Sequence, residues 1–244
     1  MSGYEIIADV SIPLKFGGLQ PSAFGVEAAT AKALGDTREG GSVNFEQYIF
    51  IPHCNGTHTE CVGHITDERI SVRDCLNDVV MLAQLVSARP SESGDDRVIT
   101  SANLQESGVQ PPATAGGSDS LIVRTLPNDD SKLSRFYDGD NIPAYFTAEA
   151  MRYIVECGFK HLLVDLPSID RIFDEGKLEN HRIFWNVEPG SRTVGSHTRI
   201  SSTVTELIYV PDEIADGEYL LNLQIAPFEA DAAPSRPVLF RAVN

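Results

Sequence analysis

Two short apolar runs, Leu121-Ile122-Val123 and Leu162-Leu163-Val164, flank a segment with helical spacing. Neither run alternates polar with apolar residues, so each needs cover on both faces, as the strands of a parallel sheet do. Between them Thr147 precedes a helical segment whose Met151, Ile154 and Val155 fall on one side, and Gly158 stands where a helix stops. Strands at 120–125 and 161–165 with a helix between them predict a parallel crossover.

Alternation and β-branched content predict further strands at 4–12, 45–52, 79–86, 97–100, 204–210, 218–227 and 237–243, with Ser101 capping a turn at 102–106. Gly17, Gly18 and Pro21 mark a loop, and 108–117, mostly Pro, Gly, Ala and Thr, reads as a surface loop. The stretches holding Asp129, Asp130, Asp138 and Asp140 lack the alternating ligands of a calcium loop and read as solvated turns. The expected fold is α/β, a strand-rich mixed sheet with few helices, in one domain over residues 1–244.

Charge narrows the partners. A formal net charge of −16 opposes non-specific attraction to nucleic acid or to anionic lipid, so neither partner is expected. The sequence shows no basic leader with an apolar core behind it and no apolar run long enough to span a bilayer, which predicts a cytoplasmic protein. Cys54, Cys61, Cys75 and Cys157 show no paired spacing, so most are expected as free thiols, with Cys75 and Cys157 in ordinary packing.

The chemistry is concentrated in His53-Cys54-Asn55-Gly56-Thr57-His58-Thr59-Glu60-Cys61-Val62-Gly63-His64. Imidazole, carboxylate and thiolate are the side chains that bind zinc, and the first two also suit manganese. The run is expected in a loop leaving the 45–52 strand, with Gly56 supplying a sharp turn. His161 and His197 stand alone and read as packing residues, while Phe24, Phe50, Phe184 and Trp185 are aromatic candidates for core or pocket wall.

The stretch from Gly56 to His64 resembles the H-x-G-T-H-x-D-x-P-x-H signature of the cyclase-type metal-dependent hydrolases, which include kynurenine formamidase and isatin hydrolase. Phe146-Thr147-Ala148-Glu149-Ala150 through Asp165-Leu166-Pro167-Ser168-Ile169-Asp170 resembles the family's helix, strand and turn, and Asn180-His181-Arg182 with Thr205-Glu206-Leu207 its downstream His and Glu. The resemblance implies a swivelling β/β/α-type fold. It also implies metal binding by His58, Glu60, His181 and Glu206, with His64 as the general acid/base. Where the signature has its first histidine the register gives Cys54, with His53 one residue early, so either a thiolate replaces the imidazole or a bulge brings His53 in. Glu60 replaces an aspartate and Val62 a proline, and the longer carboxylate leaves one ion or two open. Residues 188–201 exceed the family's usual length and suggest a substrate lid or an oligomer arm.

These residues suit hydrolysis of a small amide or lactam, such as an aryl formamide, by metal-activated water with a histidine moving the proton. Zn2+ is the expected ion, with Mn2+ as the alternative. The resemblance also implies a homo-oligomer, a dimer or tetramer. Two other functions fit the same residues: a non-catalytic metal- or ligand-binding relative, and a cyclase or dehydratase.

Overall fold

A computed structural model describes residues 3–111 and 119–243. Its main sheet has strands β1 (Gly3–Asp9), β2 (His58–Glu60), β3 (Val80–Ala88), β4 (Ser120–Thr125), β5 (His161–Val164), β6 (Thr203–Glu206), β7 (Gly217–Ile225) and β8 (Ala232–Val243). Their order is β1-β8-β7-β3-β4-β5-β6-β2, and β2 pairs again with β8, which closes the sheet into a ring with β1 outside it. The long last strand makes the closure. Its residues 232–234 pair with β2, 235–240 with β7 and 238–243 with β1. The pairs β3/β4, β4/β5 and β5/β6 are parallel and the remaining ones antiparallel, so the sheet is mixed, as expected.

The helix Ala148–Glu156 makes the predicted crossover from β4 to β5. The Thr147 hydroxyl accepts from the Ala150 N–H at 3.2 Å to start it, and Gly158 at φ 90° ends it in the left-handed region that a side chain resists. Leu121, Val123, Leu162 and Val164 face this helix and share a core with Met151, Ile154, Phe184 and Trp185. Ile122 and Leu163, one residue out of phase, join Leu85, Leu221 and Leu239 in a second core. The two apolar runs are thus covered on both faces, and each such side chain contributes roughly 1.5–3 kcal/mol on burial.

Several local expectations shift. The strand predicted at 204–210 ends at Glu206, because Leu207 turns left-handed at φ 54°. Thr100, not Ser101, caps the helix Ser101–Glu106, in a reciprocal box with Asn103. Val109 in the expected surface loop is buried in the first core, and residues 112–117 of that loop lie outside the described residues. The strand expected at 45–52 spans Phe45–Ile49, and two elements lacked a sequence signal: the helix Glu179–Trp185 and the strand Thr30–Gly35 that pairs with Phe45–Ile49 in a hairpin. All four cysteines are free and buried. Among the described residues no helix is long and apolar enough to cross a membrane.

Candidate metal centre

The ligand-rich run is not the loop its composition suggested, since its middle is the strand β2. A strand repeats every two residues, so His58 and Glu60 share one face while Thr59 points to the other, where its hydroxyl meets that of Thr205 at 2.8 Å. The register with β6 sets Glu206 opposite His58. Two residues from β2 and one from β6 therefore converge by sheet geometry alone.

His58 and Glu206 are each held by a group that leaves a lone pair directed inward. The Gly56 carbonyl can only accept, so His58 Nδ1 donates to it at 3.0 Å, and Nε2 is left unprotonated in the neutral ring. That Nε2 is buried without a hydrogen-bond partner, 3.5 Å from Glu206 Oε2. Glu206 Oε1 accepts from the Ile169 N–H at 2.9 Å. His181 comes from the helix Glu179–Trp185, with Nε2 2.9 Å from Glu60 Oε1 and Nδ1 2.6 Å from Asp170 Oδ2.

On the open side stand His53 and His64, whose rings stack with centroids 4.6 Å apart. The single-turn helix Pro52–Asn55 carries the first and the 3-10 turn Val62–His64 the second. Both approach Asp231 Oδ2, His53 Nε2 at 3.1 Å and His64 Nδ1 at 3.3 Å. Both also face Glu60 Oε2, at 3.7 and 3.8 Å respectively. His53 and His64 are about a quarter exposed, whereas the Glu60 side chain is 1 % exposed.

Two groups of donor atoms result, His58–Glu60–Glu206 and His53–Glu60–His64, each within 4.8 Å across. Glu60 belongs to both. The donor set, the orphaned Nε2 of His58 and the His181–Asp170 bond, in which a carboxylate orients a histidine, fit a divalent cation. Burial would raise the Glu60 carboxyl, but the facing imidazoles of His64, His181 and His53 outweigh it and hold the group below the usual carboxylate range. His181 is likewise opposed by burial and raised well above an ordinary histidine by Glu60 and Asp170. The facing imidazoles of His53 and His64 lower Asp231.

Of the predicted site residues, His53, His58, Glu60, His64 and Glu206 contribute to the two donor groups, and His181 abuts them through Glu60. Cys54 contributes to neither. Its thiol is raised to about 11 by burial and then by the charge of Glu206. Between His53 and Cys54, the helix at Pro52 brings the imidazole inward. Gly56 has φ 175° and ψ −172°, extended backbone open to any residue, so it does not supply the expected sharp turn. Phe184 and Trp185 are fully buried, with the Trp185 ring 5.4 Å from that of His181, while Phe24 is 41 % exposed. His161 is buried as expected; His197 is exposed. Residues 188–201 dock on the loop after His64, with the Asp67 N–H donating to the Arg192 carbonyl at 2.7 Å. Asp231 was missed because it lies 167 residues from His64 in the chain, and its sequence neighbourhood carries no motif.

The closed mixed sheet thus gathers imidazoles and carboxylates from distant segments into a donor set that suits a divalent cation. The chain belongs to the cyclase family, whose model, described as "Putative cyclase", matches residues 8–171. It is similar to the kynurenine formamidase of Bacillus thuringiensis (strain Al Hakam), 28% identical over 204 residues and 82% of each chain. The kynurenine formamidase of Bacillus anthracis is 26% identical over 85% of each. Among solved structures, a "predicted metal-dependent hydrolase" from Bacillus stearothermophilus superposes with a TM-score of 0.67 at 18% identity, covering 98% of both chains. Isatin hydrolase A from Labrenzia aggregata gives 0.68 at 15% identity, covering 98% of this chain and 94% of that one.

Proposed function

We propose that the protein hydrolyses a small amide or lactam, with an aryl formamide as the substrate to try first. The observation that carries this is the position of Glu60, whose carboxylate is shared by two donor groups, one buried and one opening toward solvent. His58, Glu60, Glu206 and His181 would hold the inner cation, and His53 with Glu60 would complete an outer site; zinc suits the imidazole-rich set best and manganese next. A divalent cation there makes water acidic enough to attack at neutral pH and polarises a carbonyl.

The chain's own residues then handle the proton. Asp231 engages Nδ1 of His64 and fixes the ring, leaving Nε2 on the side of Glu60. From there His64 takes a proton from attacking water and returns it to the departing nitrogen. The same Nε2 belongs to the outer donor group, so the two roles must be separated by experiment. Turnover of formanilide by His64→Ala should fall about 100- to 10,000-fold with bound metal unchanged. Loss of metal in that variant would make His64 a ligand instead, and full activity would remove it from the reaction. Metal-replete wild-type protein that hydrolyses no formamide or lactam would refute the hydrolytic assignment.

We also propose a homo-oligomer, with a second copy covering the hairpin Thr30–Gly35 and Phe45–Ile49. Phe45, Tyr48 and Ile49 are each more than half exposed there, and two strands alone are marginal in water. Residues 30–49 carry Lys32 and Arg38 against Asp36, Glu39 and Glu46, close to neutral on a chain of net charge −16, which suits contact with an equally acidic copy. Phe45→Ser with Tyr48→Ser should then reduce the mass measured by light scattering to that of one chain, and a monomeric wild type would refute it.

A further inference from the structure

We propose that Arg69 binds a carboxylate on the substrate, so that the preferred amides are anionic; this rests on the hydrolase assignment above and names its substrate class. A polar cavity of about 260 Å³ opens beside the centre, lined by His64 and Asp231 together with Arg69, Thr66 and Glu229. At that size it takes one substituent of a small molecule, below the roughly 300–1,000 Å³ of a complete ligand pocket.

The backbone accounts for the position of Arg69. A Cβ on Gly63 would lie 2.2 Å from the Ile70 carbonyl oxygen, so only glycine allows the chain at 66–70 to fold back against the turn that carries His64. The Thr66 hydroxyl donates to the Val62 carbonyl at 3.1 Å and fastens the near end. From outside, the Val194 N–H donates to Glu68 Oε1 at 3.3 Å and the Asp67 N–H to the Arg192 carbonyl at 2.7 Å. Arg69 is thus carried by a loop pinned on both sides to a wall it shares with His64.

Local charges leave Arg69 unmatched. Glu229 pairs with Arg73 at 3.6 Å, and Asp231 lies against His53 and His64. Arg69, by contrast, has no ion pair or hydrogen bond among the described residues. Arg69 is an exposed residue that lines the same cavity as His64, and on so acidic a chain its guanidinium selects for an anion there, the planar fork matching a carboxylate.

The test compares formanilide with 2-, 3- and 4-formamidobenzoate as substrates, and aniline with the three aminobenzoates as ligands in calorimetry. It uses metal-replete wild type, Arg69→Met and Arg69→Lys. In the wild type at least one carboxylated compound should have a KM and a Kd about tenfold lower than its neutral partner, the size of one hydrogen bond to a charged group. Arg69→Met should erase that preference with kcat and the formanilide KM unchanged, and Arg69→Lys should restore part of it. Equal binding of every aminobenzoate by wild type and Arg69→Met would overturn the proposal. Arg69-dependent binding without hydrolysis of any amide would support the anion site and refute the hydrolase assignment, so the two failures are distinguishable.

Discussion

Asp170→Asn should weaken metal binding without touching a donor atom. Asp170 Oδ1 accepts from the Asn180 N–H at 2.7 Å, while Oδ2 accepts from the His181 N–H at 3.2 Å and from its Nδ1 at 2.6 Å. An asparagine has one acceptor to place in a pocket that offers donors on both sides. Whichever way the amide turns, its NH2 meets a buried N–H, either that of Asn180 or the pair on His181. One buried donor left unmatched costs about 1–3 kcal/mol. The charge that pulls Nδ1–H into line is also lost, and removing such an orienting partner typically lowers metal affinity by about 10–100-fold. Urea denaturation of chelator-treated protein reads the first effect, and competition for zinc against a chromophoric chelator reads the second. Wild-type zinc affinity in a folded Asp170→Asn variant would refute the role given to the His181–Asp170 bond.

Two further outcomes follow from the described contacts. Burial lowers His161 to about 4, below its ordinary 6.5, so the folded state favours the neutral ring. Its contribution to stability is complete above the unfolded value and is lost as pH falls from there toward 4, roughly 3 kcal/mol in all; urea midpoints of His161→Gln should decline less over that interval than those of wild type, and parallel curves would disprove it. Cys54→Ser should keep its metal content and turnover, measured by elemental analysis and formanilide hydrolysis, because the Cys54 thiol belongs to neither donor group.

What could be read in the sequence was local. The two apolar runs and the capped helix between them needed only their own residues to announce a parallel crossover, whereas His58 and Glu60, expected in a loop, lie on one face of a three-residue strand too short to show alternation. The helix Glu179–Trp185 starts after Leu178 in a left-handed conformation at φ 50°, without a capping side chain, so nothing in the sequence marks its beginning. Choosing between His53 and Cys54 required the helical turn at Pro52, which register counting along a signature cannot supply. Asp231 enters the site only because β8 closes the ring beside β2, with Ala232 opposite Glu60. That pairing joins segments far apart in the chain and leaves no trace in either segment alone.

The shared position of Glu60 is tested most directly by elemental analysis of purified wild type, His58→Ala and Glu60→Gln, with formanilide turnover measured on the same samples. Wild type should carry at least one equivalent of zinc or manganese per chain, and both variants should lose metal and activity together while remaining folded by circular dichroism. Variants that retain the full metal complement would contradict a centre built on β2.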